Sequence, residues 1–418
     1  MSFATTNWPA EAGALVSARK FLRECAAQSK HTLLVPDKDA DGLSGTLIIY
    51  RTLRALGHAA ENISVHFVEK GSNPHRDAER ERLAAHRAEY AVVVDQGSRP
   101  GPSLVPGAKT LLVDHHLSDE FPEGTLVLSA CKHEPVATSA TLAYVLCRPL
   151  HRTVVSSCDY LCAMGTIGDL GTTFKFEPPF PQEEMKACFK KYTKKSINEA
   201  VGLVNAPRRT AIYDVESAWQ ALLHSTCPTD VTSPPRSSAD KVKWSRRLHD
   251  ARQEINAEVE RCSHVAPKFS GDGRVALLRI HSEAQVHPVV ATRWAGHLKS
   301  PRLRVVMVAN TGYTPGITNF SCRVARCARR PDVPAVDIIA MLKAYAAREP
   351  GLTESMGQDF ARGHKQASGG IVSTEQFEKL WHVMEQSDTE GEESPRKRRK
   401  VGTTSAQKNT LEGWVKRA

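Results

Sequence analysis

Along the first third of the chain, short apolar runs alternate with longer amphipathic or charged stretches. HTLLVP (31–36), ISVHFV (63–68), YAVVVD (90–95) and KTLLVD (109–114) read as buried strands, with LSGTLIIYRTLRAL (43–56) and the charged stretch 76–89 as helices. Such alternation predicts a parallel sheet wrapped by helices, with ligand sites at the carboxyl ends of the strands. Helical patterning continues over 137–149 and over 153–166, which ends at GTIGDLG, and resumes over 183–223 after the loop EPPFP. A turn-rich linker, STCPTDVTSPPRSS (225–238), leads to a polar helix at 240–262 whose sparse apolar positions suit a connector. From 274 the alternation returns, with RVALLRI, a helix near 286–298, LRVVMVA, a strand near 317–324, and helices near 335–347 and 374–385. The expectation is an α/β protein with a first domain over 1–224, a linker and connector helix over 225–265, a smaller α/β domain over 266–386, and a tail over 387–418. That tail has too few apolar residues to bury a core and is expected to be disordered.

Composition narrows the class. With 41% hydrophobic residues the chain can bury real cores, and it has no apolar run of membrane-spanning length, so no membrane partner is expected. The N-terminal stretch MSFATTNWPAEAGALVSARK lacks the basic-then-apolar order of a secretory signal, which predicts an intracellular protein. Its ten cysteines are scattered, with Cys158/Cys162 and Cys322/Cys327 lacking a second pair of zinc-ligand type, and read as reduced thiols. The net charge of +10 suggests nucleic-acid affinity only until it is localised: residues 396–418 carry +7, leaving +3 for the rest. A phosphate-binding surface on the body must therefore be a local patch. Lys186, Lys190, Lys191, Lys194, Lys195, Arg326, Arg329 and Arg330 are candidates for it, the alternative being solvated faces.

The chemistry lies where apolar runs stop. LLVPDKDADGLSG places Asp37, Asp39 and Asp41 at alternate positions just past a strand. Asp and Gly also build turns, but three repelling carboxylates are better explained by a cation. Asp95 ends VVVD, Asp114, His115 and His116 end VDHH, and Asp169 lies in GTIGDLG. Carboxylates and imidazoles converging from several segments suit a pair of divalent cations, Mn²⁺ above all, with Mg²⁺ as its substitute.

The joint order of these motifs, D-x-D-x-D-G, V-D, V-D-H-H and G-D, resembles the signature of the DHH phosphoesterase superfamily. Within it, DKDADG, LVNAPRRTAIYDVESAWQALL (203–223) and RRLHDARQEINAEVERC (246–262) resemble the RecJ-like exonuclease branch. The second domain resembles the family's DHHA1 domain, with GHKQASGG (363–370) as a Gly-rich substrate-binding loop and NFSCR (319–323) as the strand facing it. The resemblance implies Asp39, Asp41, Asp95, His115 and Asp169 as metal ligands, with Asp95 bridging, and Asp37 as a further ligand or a base. It implies that Asp114 orients the paired histidines and that His116 faces the scissile phosphate. Ser321, Arg323, Arg362, Gly363, His364, Lys365, Ser368, Gly369 and Gly370 would form the substrate site. Two positions depart from the pattern: Val35 stands where many members have a His, and Arg362 replaces the first glycine of the loop.

What the resemblance implies is a metal-dependent exonuclease that removes mononucleotides from single-stranded DNA in the 5′ to 3′ direction, in replication or repair. A phosphodiesterase of short oligonucleotides or cyclic dinucleotides, a polyphosphatase, and a non-catalytic replication scaffold with a vestigial site are the alternatives. The tail adds two signals. Arg396, Lys397, Arg398, Arg399 and Lys400 resemble a nuclear-import signal, which implies an import receptor and nuclear residence. Leu411, Trp414 and Val415 resemble the anchors of a sliding-clamp-binding peptide, with Lys408 where Gln usually stands; the other reading is a helix folded back on the body.

Overall fold

The computed structural model describes residues 8–233, 240–330, 334–357 and 360–386. It divides into two compact units, the first comprising Met1–Arg208 and Tyr213–Arg252 and the second Arg209–Ile212 and Gln253–Ala418. No helix among the described residues is long and apolar enough to cross a membrane.

The first unit is built on a five-stranded sheet of β1 (Thr32–Pro36), β2 (Ile63–Val65), β3 (Tyr90–Val94), β4 (Lys109–Asp114) and β5 (Thr125–Ser129). All its pairings are parallel, in the order β2-β1-β3-β4-β5. The continuous apolar runs of β1 and β3 are explained by burial on both faces. Leu34, Val92, Val94, Leu111 and Val113 pack into the core formed with helices Ala12–Gln28, Ala40–Ala55 and Ser139–Cys147. Their neighbours Leu33, Val35, Ala91, Val93 and Leu112 point the other way, onto Leu83, Leu104 and Val105. Strand order reverses between β1 and β3, and the carboxyl ends of strands at such a reversal are where parallel sheets place their ligand sites.

Several boundaries differ from the expectation. The helix expected at 43–56 begins at Ala40, because the Asp39 side chain caps it. The strand expected over 63–68 stops at Val65 on a half-exposed edge, and the charged helix spans only Asp77–Ala85. The stretch 153–166 is two helices, Thr153–Ser157 and Asp159–Leu170, so Asp169 sits in a last helical turn rather than beyond the helix. The stretch 183–223 holds three helices, Gln182–Tyr192, Lys194–Val204 and Val215–Leu223, the first two broken at Thr193 with φ of +57°. The turn-rich stretch 225–238 contains a short helix, Pro228–Thr232, whose Val231 is buried in the first core. The polar helix Asp240–Cys262 places Leu248 in that core and Ile255, Val259 and Cys262 in a core of the second unit. The unit boundary thus falls within it, at Arg252.

The second unit carries a six-stranded sheet of β6 (Lys268–Phe269), β7 (Val275–Ile280), β8 (Val305–Thr314), β9 (Ile317–Val324), β10 (Arg362–His364) and β11 (Ala367–Ser373). The order is β10-β11-β9-β8-β7-β6, with only β7 and β8 parallel. Helices Ile338–Ala346 and Thr374–Glu385 cover one face, and His287–His297 covers the other. GHKQASGG is not a loop: its residues form the β10–β11 hairpin, and β11 pairs with β9. Gly369 lies opposite Ser321, and a Cβ there would come within 2.3 Å of the Phe320 carbonyl oxygen, so the strand needs glycine at that point.

Candidate metal centre

β1 ends in Pro36, and Asp37 continues the ladder by donating its N–H to the Val94 carbonyl at 2.9 Å. Asp39 then caps the next helix: its Oδ1 accepts the amides of Asp41 (3.1 Å) and Gly42 (3.3 Å). Gly42 is required here, because a Cβ would lie 2.7 Å from the Asp37 carbonyl oxygen. Asp41 enters the first helical turn and is only 1% exposed. Its carboxylate accepts the amides of Ser139 (2.7 Å) and Ala140 (3.0 Å), the free N–H groups at the start of helix Ser139–Cys147.

Asp95 follows β3 with φ of +65° and is 3% exposed. Its Oδ1 accepts the Ser139 hydroxyl at 2.8 Å and lies 3.3 Å from His115 Nε2. The same imidazole nitrogen is 3.2 Å from Asp169 Oδ2. Asp114, fully buried at the end of β4, holds the paired histidines. Its Oδ1 accepts the amides of His115 (2.7 Å) and His116 (3.2 Å) and His116 Nδ1–H (2.8 Å), while Oδ2 accepts the Ser98 amide at 3.2 Å. The contact fixes the His116 ring with Nε2 free, and that side chain is 54% exposed.

Potential ligand atoms therefore fall into three overlapping groups, each with atoms within 4.8 Å of one another: Asp37, Asp39 and Asp95; Asp95, His115 and His116; and Asp41, His115 and Asp169. Asp95 and His115 are each shared by two groups. The electrostatics fit a cation. Burial, with Asp169 close by, pushes the Asp41 carboxyl up to about 7. Burial and the neighbouring Asp41 raise Asp95 well above the usual carboxylate range. At His115 burial opposes charge, but Asp169 and Asp95 outweigh it and raise the imidazole to about 12. At His116 burial likewise opposes charge, and Asp114 raises the ring to about 9. Two buried carboxylates whose charge is disfavoured, set beside an imidazole drawn into positive charge, mark a place that lacks positive charge. Mixed oxygen and imidazole donors suit a divalent cation such as Mn²⁺.

The structure adds residues that the sequence reading passed over. Ser139 supports Asp41 and Asp95 together, and its signal was the Thr138–Ser139 pair opening an apolar helix. Asn205 Oδ1 accepts the Ala40 amide (3.2 Å) and Arg208 Nε–H (3.1 Å), while Arg208 Nη2 lies 3.9 Å from Asp39 Oδ2. Both come from the LVNAPRR stretch. Gly165 lets helix Asp159–Leu170 pass against Asp41 and Ala140.

In the second unit, Ser321 and Arg323 share a face of β9, and Arg323 Nη1 donates to Ser321 Oγ at 2.8 Å. Ser368 Oγ donates to the Arg362 carbonyl at 2.7 Å, and Lys365 Nζ is 3.9 Å from Asp337 Oδ2. Gly363 takes φ of +106° and Gly370 pairs with Phe320. The His364 side chain, the import cluster 396–400 and the tail anchors Lys408, Leu411, Trp414 and Val415 lie outside the described residues. Of the candidate basic patch, Lys186 pairs with Glu183 and Lys194 donates to the Phe174 carbonyl, so these two charges are partly spent locally.

The chain matches the family model of the DHH family, N-terminal domain, over residues 31–166. A single-stranded-DNA-specific exonuclease RecJ of Thermus thermophilus is 31% identical over 327 residues, an overlap of 71% of this chain and 46% of the relative. The chain belongs to the RecJ-like branch of the DHH superfamily. It spans about half the length of the curated relative it matches. The crystal structure of T. thermophilus RecJ with Mn²⁺ has the same fold, with a TM-score of 0.61 at 19% identity, covering 89% of this chain and 54% of that one. A structure of exonuclease RecJ bound to manganese gives 0.58 at 21% identity, covering 89% and 93%. The DHH motif for which the family is named stands here as Asp114, His115 and His116, at the end of β4.

Proposed function

We propose that this DHH protein is a two-metal phosphodiesterase acting as a 5′ to 3′ exonuclease on single-stranded DNA and releasing mononucleotides. The observation that carries the reading is the sharing of Asp95 and His115 among three donor groups, the arrangement expected where ligands serve two adjacent cations. A matched RecJ is a single-stranded-DNA-specific exonuclease, which supports the substrate and reaction class.

When bound, a pair of divalent cations supplies an activated water and neutralises charge on the phosphoryl oxygens. Asp39, Asp41, Asp95, His115 and Asp169 would hold it, with Asp37 available at the Asp39 and Asp95 side. Asp114 holds the two histidines through three hydrogen bonds, from both their amides and the His116 ring, and the Ser98 amide fixes its other oxygen. With Nδ1 bonded to Asp114, His116 presents Nε2 outward, where protonated it donates to a phosphoryl oxygen. In the second unit Ser321, Arg323, Arg362, Gly363, Lys365, Ser368, Gly369 and Gly370 are assigned to binding the terminal nucleotide, together with His364. The half-buried guanidinium of Arg323, which donates to Ser321 Oγ on the same strand face, supports that assignment.

The proposal extends to the nucleus, through recognition of residues 396–400 by an import receptor, and to the sliding clamp, through Leu411, Trp414 and Val415. The test of the core reading is product analysis on 5′- and 3′-labelled single strands of DNA and RNA with Mn²⁺ or Mg²⁺. Mononucleotides released from the 5′ end of DNA are expected. Faster cleavage of a dinucleotide than of a long strand, or no phosphodiester cleavage with either cation, would overturn it.

A further inference from the structure

The first unit leaves few large apolar side chains in water: among its described residues these are Val16, Leu117, Val155 and Leu170. Two of the four directly follow candidate metal ligands. Leu117, 81% exposed, comes next after His116, and Leu170, 41% exposed, comes next after Asp169. Their two segments meet where His115 Nε2 lies 3.2 Å from Asp169 Oδ2. Consecutive Cα atoms are about 3.8 Å apart, so both leucines are anchored within roughly two residues' length of the donor atoms.

Neither leucine is exposed because its chain is loose. Past Leu117 the Ser118 carbonyl accepts the Cys131 thiol at 3.7 Å, Ser118 Oγ donates to the Glu120 carbonyl at 2.5 Å, and Asp119 pairs with Lys132 at 2.8 Å. Past Leu170 the chain turns at Gly171, with φ of +79°, and the Gly171 amide donates to the Ile167 carbonyl at 3.0 Å. The Phe174 carbonyl then accepts Lys194 Nζ at 2.9 Å, and the Phe174 ring packs edge-on against Phe180 with centroids 5.0 Å apart. Both segments are therefore fastened in place, and each presents a leucine that no core of the unit absorbs. Single apolar residues scattered on a surface are ordinary, whereas two on fixed segments at the rim of one charged cluster are the apolar part of a binding site.

The chemistry of the substrate divides in the same way. Cations take the charged phosphodiester, and what remains beside it is a sugar and a flat nucleobase whose faces bind apolar side chains through dispersion and exclusion of water. Inorganic polyphosphate has no such part. A base inside a duplex has both faces covered by its neighbours, so only an unstacked one can lie against these side chains, and it can do so whatever its identity, since every base has such a face.

Resting on the two-metal phosphodiesterase reading, we propose that Leu117 and Leu170 form an apolar platform for a nucleoside flanking the scissile phosphate, and that this platform favours unpaired strands of any sequence.

The test compares the full chain with one carrying Leu117→Ser and Leu170→Ser, following the first cleavage of a labelled DNA strand under single-turnover conditions with Mn²⁺. Exposed positions such as these tolerate the change without loss of fold. The concentration of enzyme giving half the maximal rate should rise at least tenfold, with the maximal rate within threefold and Mn²⁺ affinity within twofold of the parent by calorimetry, the pattern of lost uniform binding. The same comparison is made on strands lacking one base at each of the first four positions from the cleaved end. When the missing base belongs to a nucleoside flanking the cleaved bond, parent and variant should need the same concentration; when it lies at the fourth position, the tenfold difference should persist. Leu117→Met with Leu170→Met should stay within twofold of the parent on the intact strand. A serine variant equal to the parent on the intact strand, or one with the same deficit on every strand, would overturn the proposal while leaving the phosphodiesterase reading in place. A parent chain that cleaves no strand with either Mn²⁺ or Mg²⁺ would overturn both.

Discussion

Gly165→Ala sets two physical effects against each other at the candidate metal centre. Within a helix, Ala is favoured over Gly by about 1 kcal/mol, so on propensity alone the change should stabilise helix Asp159–Leu170. Packing opposes it. The new Cβ would lie 2.3 Å from the Ala140 Cβ and 2.5 Å from Asp41 Oδ1. Neither neighbour yields easily, because Ala140 is helical and Asp41 is buried and pinned by the amides of Ser139 and Ala140. Relief requires the helices to separate, and overpacking of this kind costs about 1–3 kcal/mol. The net is a loss of about 0–2 kcal/mol, or a Tm decrease of up to roughly 8 °C for a unit of this size. The effect on metal should be larger in proportion. Asp41 shares a donor group with His115 and Asp169, and a displaced support typically lowers metal affinity about 10–100-fold. Thermal melts with and without EDTA, and calorimetric titration with Mn²⁺, measure both quantities. A variant that melts at or above the parent temperature and binds Mn²⁺ within twofold of it would refute the packing argument.

Other perturbations separate the roles of individual groups. Ser139→Ala removes the 2.8 Å hydroxyl bond to Asp95 and leaves the Asp41 contact with the Ser139 amide in place, so Mn²⁺ affinity should fall about tenfold while the fold persists by circular dichroism. Asp114→Asn removes the charge that raises His116 to about 9; in the metal-free protein its imidazole should titrate at least one pH unit lower by NMR, and hydrolysis should drop about 100-fold or more. Asp41 is raised to about 7 and His115 to about 12, so both must release protons to bind a cation; Mn²⁺ affinity should rise with pH between 6 and 8, with proton release measurable by calorimetry in buffers of different ionisation enthalpy. Deleting residues 407–418 should abolish capture by the sliding clamp in a pull-down and leave hydrolysis of a labelled single strand unchanged.

Most of the candidate metal centre is legible in the sequence because parallel strands buried on both faces read as apolar runs, and a charge at the end of such a run stands out. Asp37, Asp39, Asp95 and Asp114 are legible in that way. Asp169 is not, since it lies in the last turn of a helix, and only the order of motifs points to it. Ser139 and Gly165 are harder still: one acts through hydrogen bonds to residues 44 and 98 positions away, the other through the side chain it lacks. Strand β5 is half exposed and five residues long, too weak a pattern to register. The β10–β11 hairpin was hidden by its glycines, which are depleted in strands generally and are needed here because backbone meets backbone at Gly369.

Asp95 shows how the fold maintains an unfavourable local conformation at this centre. A non-glycine residue at φ of +65° costs on the order of 1 kcal/mol, a conformation Asp tolerates better than most. The chain around it is secured on both sides. Asp95 donates its amide to Val113 on β4, the Gln96 side chain donates to the carbonyls of Val35 and Pro36 on β1, and Ser98 donates its amide to Asp114. The turn is therefore fastened to the ends of both flanking strands. Strand order reverses at this point in the sheet, and the left-handed turn brings the carboxylate to Ser139 Oγ and His115 Nε2. Burial without a cation disfavours charge on Asp95, while these contacts hold its oxygens in place. The fold thus bears two costs at one residue, a strained backbone and a poorly solvated carboxylate. A divalent cation held there would relieve the second by supplying the missing charge, and the fixed turn would leave little rearrangement to be made on binding.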